Sequence, residues 1–204
     1  MLSCLITVNN SHSTTIINVW PKPRSLTWAP PYQAILIAST FTITTSAPHH
    51  NKHLSATVAR YQNLIKSEQH HLLVPSGENI STNIPPLKSL ILTVLDPHAG
   101  LVHGVDESYT LSILPSLATL TTKITWGTMQ GLKTFSQLAW GSPTCVAVGL
   151  QVWDSPLCTH RGIMLETSTK YFPVNDLLRT VEAMSMNKLI VFHWHVTNSQ
   201  SFPL

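Results

Sequence analysis

The feature that most constrains this chain is a strand–helix–strand pattern near its C-terminal end. Residues 161–167 (Arg-Gly-Ile-Met-Leu-Glu-Thr) and 188–197 (Lys-Leu-Ile-Val-Phe-His-Trp-His-Val-Thr) are largely apolar runs. Between them Val174, Leu177, Leu178, Val181 and Met184 recur at helical spacing. Pro173 suits the first position of that helix, where a missing N–H leaves no bond unmade. Strand, helix and strand in so short a span make a βαβ unit. Parallel strands buried on both faces carry apolar residues at successive positions, as both runs do. The stretch therefore reads as the start of a barrel or of an open parallel sheet.

The upstream residues follow other periods. Residues 20–31 are rich in Pro (Pro21, Pro23, Pro30, Pro31) and exclude regular helix. Residues 35–45 are β-branched and partly alternating, as are 90–95 and 108–114, and each reads as a strand. Leu54, Val58, Tyr61 and Ile65 form one stripe of a helix over 53–66, and Met129, Leu132, Phe135 and Ala139 mark a second helix over 128–139. Strand, helix, strands and helix predict a small α+β domain whose sheet is covered on one side. It is expected to span residues 18–145, after a poorly ordered segment 1–17 and before a linker 146–157; the βαβ unit fills 158–204.

Composition excludes several function classes. The chain has 204 residues, 43% hydrophobic, so a packed core is feasible. Its 12 Lys and Arg are scattered, and the net charge of +3 gives no electrostatic footprint for nucleic acid. The apolar start Met1–Val8 is too short for a signal peptide's apolar core or a membrane span, and polar Asn9, Asn10 and Ser11 follow it. Asn9-Asn10-Ser11 and Asn79-Ile80-Ser81 fit the glycosylation sequon. Three cysteines (Cys4, Cys145, Cys158) are too few for a disulfide framework; Cys145 and Cys158 are read either as a pair in a secreted chain or as ordinary thiols.

Residues 156–204 carry a dense set of motifs: Cys158-Thr159-His160-Arg161-Gly162, Leu165-Glu166-Thr167-Ser168, Tyr171-Phe172-Pro173-Val174, Asp176-Leu177-Leu178-Arg179-Thr180, Met184–Leu189, Val191-Phe192-His193-Trp194-His195 and Ser201-Phe202-Pro203. This stretch resembles the opening of the catalytic barrel of the family 20 β-N-acetylhexosaminidases, closest to the plant branch. Val19-Trp20-Pro21-Lys22-Pro23, Gly104–Leu111 and Thr134-Phe135-Ser136-Gln137-Leu138 resemble the accessory domain of the same family. The resemblance implies an α+β accessory domain followed by the first βαβ unit of a truncated (β/α)8 TIM barrel. A closed barrel takes roughly 250 residues, far more than lie between Cys158 and Leu204.

The resemblance also implies a chemistry. Family members remove terminal N-acetylglucosamine or N-acetylgalactosamine from glycans and chitin oligomers by substrate-assisted, retaining catalysis, an exception to the two-carboxylate scheme. The substrate acetamido oxygen attacks; an adjacent Asp orients it and a Glu is the general acid. In the family that pair lies on a later strand, beyond the equivalent of Leu204, so the 204-residue chain is expected to be inactive. The pair Asp106-Glu107 follows His103-Gly104 and echoes the catalytic signature, but its neighbours match the accessory domain, and it reads as a turn before a strand.

Three residues are expected to bind substrate: Arg161, His195 and Asn198. The matching family Arg binds sugar hydroxyls, for which a guanidinium fork is suited. It opens its strand, however, while barrel sites lie at strand C-terminal ends. His193 and His195 share one strand face and read as a polar layer behind the pocket. Asn198 stands where the family has Asp; Glu166 and Thr169 replace the family's Asp and Arg. No cofactor and no metal are implied, and His49-His50 and His70-His71 read as loop residues. The implied partner is a glycan, with no nucleic acid and no membrane span. The full-length family dimerises through its barrel, which a chain of this length would not do. Its members are secreted, vacuolar or lysosomal. Competing readings are a non-catalytic interaction module built on the accessory domain, and a small metallohydrolase using His193 and His195.

Overall fold

The computed structural model describes residues 5–10, 13–29, 33–45, 51–67, 80–81 and 83–197. Contacts divide the chain into two compact units, Met1–Pro156 and Leu157–Leu204.

In the first unit, β1 (Leu5–Asn10) and β2 (Ser13–Asn18) pair antiparallel, with Leu5 opposite Asn18 and Asn10 opposite Ser13. Within residues 1–17, expected to be poorly ordered, residues 5–10 and 13–17 thus take part in paired strands. Both strands are rich in β-branched Ile, Val and Thr, which suit a two-stranded ribbon.

An eight-stranded mixed sheet forms the body of the unit. Its strands are β3 (Ser25–Trp28), β4 (Ala34–Thr45), β5 (Leu87–Asp96), β6 (Tyr109–Leu114), β7 (Leu117–Ile124), β8 (Ala139–Trp140), β9 (Cys145–Ala147) and β10 (Leu150–Asp154). The spatial order is β3-β10-β6-β7-β5-β4-β9-β8. Helix α1 (Lys52–Ser67) links the parallel pair β4 and β5, and α2 (Thr125–Leu138) follows β7.

One sheet face meets both helices. Leu90, Leu92, Leu111, Ile113, Leu120, Leu150 and Val152 alternate inward and are buried against Leu54, Tyr61, Ile65, Leu132 and Phe135. Phe41 and Phe135 stack at 5.9 Å within that core. Gly131 lets α2 lie close to the sheet: a Cβ there would meet Leu120 Cδ1 at 2.5 Å. On the other face Ile91, Thr110, Thr121, Gln151 and Trp153 are exposed. The sheet is covered on one side, as the alternation predicts.

The linker expected over 146–157 is corrected. β10 occupies Leu150–Asp154 and lies inside the sheet, antiparallel to both β3 and β6. Leu150 and Val152 face the core while Gln151 and Trp153 face out, so this short strand closes the unit rather than leaving it. β7 was also unmarked by the sequence reading, although Ala118, Leu120, Thr122 and Ile124 alternate inward.

The second unit is the βαβ element. β11 (Gly162–Glu166) and β12 (Val191–His195) are parallel, Gly162 opposite Val191 and Glu166 opposite His195. They are bridged by α3 (Val174–Met186), which Pro173 precedes. The turn after α3 is a Schellman motif: Leu189 N–H donates to Met184 O and Lys188 N–H to Ser185 O. Lys188 takes the left-handed position with φ 57°, where glycine is usual.

Candidate functional site

The two strands of the second unit set which residues share a face. Successive strand side chains alternate, and partners in register point the same way. Met164 and Glu166 therefore share a face with His193 and His195, while Leu165 pairs with Trp194 on the opposite face. All four of Met164, His193, Trp194 and His195 are exposed.

Polar order concentrates at the C-terminal ends of β11 and β12, where barrel enzymes carry their sites. Thr167 N–H donates to His195 O at 2.9 Å, extending the strand pairing by one step. The Trp194 indole Nε1–H donates to Thr167 Oγ1 at 3.0 Å. Ser168 Oγ donates to Glu166 Oε1, and Thr169 Oγ1 donates to Glu166 Oε2 at 3.2 Å. Thr167 and Ser168 are each only 2% exposed, so these hydroxyls serve bonds that water does not reach.

Arg161 lies at the other end. Its Nε donates to Lys188 O at 3.0 Å and its Nη1 to Cys158 O at 2.7 Å. Its own carbonyl accepts from the Ile190 and Val191 N–H groups. Four strand residues at about 3.3 Å each separate it from the Glu166–His195 pair. The guanidinium fork binds two backbone carbonyls and ties the lead-in segment to the α3–β12 turn. His195 is the last residue of β12. Asn198 lies outside the described residues, as do His49, His50, His70 and His71.

Thr167 and Ser168 were not singled out in the sequence as site residues. Their signal was there: a run of hydroxyls directly after an apolar barrel strand marks the end at which such strands carry function.

The Asp106-Glu107 pair belongs to the first unit. Asp106 bonds Lys123 Nζ at 3.0 Å and accepts the Ser108 N–H, also at 3.0 Å. The Ser108 contacts, followed by the Lys123 ammonium, hold its carboxyl down at about 2. Glu107 is buried and accepts from Gln130 Nε2 at 2.8 Å. Both carboxylates are engaged in local structure. Among the described residues no three His, Cys, Asp or Glu side chains form a group able to hold a metal ion, and no helix is long and apolar enough to cross a membrane. Cys145, buried in β9, and Cys158, exposed, are not joined in a disulfide, and the Cys145 thiol donates to Pro143 O at 3.4 Å.

Comparison with known proteins agrees with this division. Residues 19–138 match the family described as beta-acetyl hexosaminidase like, and residues 158–204 match the catalytic domain of glycosyl hydrolase family 20. Rat beta-hexosaminidase subunit beta is 34% identical over 198 residues, 91% of this chain and 35% of that protein. The human subunit beta is 44% identical over 100 residues, 48% of this chain and 18% of that protein. The Dictyostelium discoideum subunit B1 is 32% identical over 195 residues, 91% of this chain and 32% of that protein. The chain thus spans about a third or less of the curated relatives it matches. The Flavobacterium johnsoniae chitobiase structure superposes with a TM-score of 0.68 at 22% identity, covering 87% of this chain and 27% of that one. A Streptomyces plicatus beta-hexosaminidase variant in complex with product (GlcNAc) gives 0.62 at 20%, covering 89% and 35%. With more than half of its residues in the first matched region and the catalytic-domain match following in order, the chain belongs to glycoside hydrolase family 20.

Proposed function

We propose that this chain supplies the N-terminal unit and the first barrel strands of a β-N-acetylhexosaminidase, which removes terminal N-acetylglucosamine or N-acetylgalactosamine from glycans or chitin oligomers. The observation that carries the reading is the clustered end of β11 and β12. There Glu166, Thr167, Trp194 and His195 lie together, within the stretch that matches the family's catalytic domain. His195 lines the sugar side of this end, and Asn198 follows it as a neutral amide that accepts and donates but carries no charge. Arg161 binds hydroxyls of the same sugar, for which its planar donor fork is suited.

The acid chemistry is not assigned to any residue of this chain. Asp106 and Glu107 are bound within the first unit, so the substrate-assisted step needs an Asp-Glu pair from elsewhere in the barrel. The plant affinity, the dimer of full-length relatives and a secretory, vacuolar or extracellular setting are part of the same proposal.

The test is a titration of the isotope-labelled chain with N-acetylglucosamine, read by NMR. Shifts confined to Arg161, residues 165–169 and residues 193–197 are expected. Shifts centred on Asp106 and Glu107, or none at the strand ends at saturating sugar, refute the assignment.

A further inference from the structure

One residue joins the ends of β11 and β12 in two ways. Thr167 donates its N–H to His195 O and accepts the Trp194 indole N–H on its hydroxyl. The first bond fixes how far β12 has advanced along β11. The second fixes the angle of Trp194, which is 39% exposed and has, among the described residues, the tilted ring of Phe192, 6.1 Å away, as its aromatic neighbour. Packing alone does not orient a ring so open to water. Nor is the Thr167 hydroxyl available to solvent, because the residue is 2% exposed.

The residues around Thr167 stiffen it. Ser168 and Thr169 each donate a hydroxyl to one oxygen of Glu166, so the turn closes on the carboxylate of the strand that it leaves. Glu166 is the register partner of His195. A carboxylate held within its own turn stays on β11 and leaves the facing histidine side chain exposed.

We propose that Thr167 is a positioning residue for the sugar-facing strand ends: its paired backbone and indole bonds set the place of Trp194 and, through β12, of His195. This role rests on the reading that His195 faces sugar. It assigns Thr167 no contact with substrate.

The experiment compares Thr167→Val, which keeps the branched shape and removes the hydroxyl, with Thr167→Ser, which keeps the hydroxyl. The whole 204-residue chain is used, and NMR reads the Trp194 indole N–H, assigned through Trp194→Phe, and the His195 ring resonances. The Trp126 indole, bonded to Ala99 O in the first unit, is the internal control. Thr167→Val is expected to speed exchange of the Trp194 indole about tenfold, the effect of one lost hydrogen bond. It should also move the His195 ring signals, with Trp126 unchanged, and Thr167→Ser should restore both. Equal indole exchange in wild type and Thr167→Val overturns the proposal, as does a Thr167→Ser chain that resembles Thr167→Val. If Thr167→Val unfolds the second unit, Thr167→Ser decides alone: wild-type Trp194 protection supports the role and its loss overturns it. Adding N-acetylglucosamine to the wild type separates the two claims. Silence at His195, with the Thr167 effects present, rejects the sugar reading and leaves the positioning role standing.

Discussion

Arg161 carries structural bonds that its residue type alone does not announce. A guanidinium in a glycosidase barrel invites a sugar contact, and the motif around it encouraged that reading. In the chain Arg161 directly precedes β11 and donates to the carbonyls of Cys158 and Lys188. Lys188 is in the left-handed region, a conformation costing roughly 1–2 kcal/mol for a residue with a side chain. The Arg161 bond helps to hold that turn. Arg161→Ala should therefore destabilise the second unit by about 1–2 kcal/mol in denaturant unfolding, since the bonds are charge-assisted but partly exposed. In a folded variant the sugar-dependent shifts at His195 should weaken; their full retention would remove Arg161 from the pocket.

Tyr109 makes a second residue-scale prediction. Its hydroxyl lies 2.6 Å from Thr134 Oγ1 and donates to Asp154 Oδ2 at 3.1 Å. Burial first, then the Asp154 carboxylate, push the phenol well above its ordinary value of 10.0. A folded-state value above the unfolded one favours the protonated form. The contribution is therefore fully present below about pH 10 and is lost as pH rises beyond it. Alkaline absorbance titration should find Tyr109 un-ionised until the first unit unfolds. Ionisation of Tyr109 near pH 10 in the native chain would show that the buried network is absent.

At the scale of elements, long periodic segments were legible and short strands were not. The stripe Leu54, Val58, Tyr61 and Ile65 located α1, and the apolar runs located β11 and β12, because each repeats its signal over many positions. β10 carries only two inward residues, Leu150 and Val152, and is followed by Ser155-Pro156, so it resembled a linker. Its place depends on partners more than a hundred residues upstream in β3, which no local pattern reveals. The candidate site was half legible: His195 was marked by its strand, but the Thr167 bonds to Trp194 and His195 depend on pairing across the βαβ unit.

Two predictions belong to this scale. A fragment ending at residue 145 removes β10 from between β3 and β6, while one ending at Pro156 keeps it. Thermal unfolding of residues 13–156 should be cooperative, and that of 13–145 should not. Equal cooperativity would deny β10 its place in the sheet. Gly162 sits where an added Cβ would lie 2.6 Å from Val191 O, so Gly162→Ala must push β11 and β12 apart. It should cost about 1–3 kcal/mol in chemical denaturation, typical of overpacking. An unchanged midpoint would mean that the strands pair less closely.

For the whole molecule, the two units divide the work. The first has a continuous core of its own and fixes its only adjacent Asp-Glu pair in local bonds. The second presents a polar strand end with apolar residues still exposed around it, among them Met164, Leu178 and Val181. That balance fits a chain that contributes sugar-facing structure while the acid chemistry resides elsewhere in a family barrel.

The most direct test is turnover of a chromogenic N-acetyl-β-glucosaminide by the purified 204-residue chain, measured beside a chimera in which the remaining barrel of human beta-hexosaminidase subunit beta follows it. No product is expected from the chain alone, and clear turnover from the chimera. Turnover by the chain alone, surviving replacement of its preparation tags and host, would contradict this, because a catalytic pair would then have to exist within these residues.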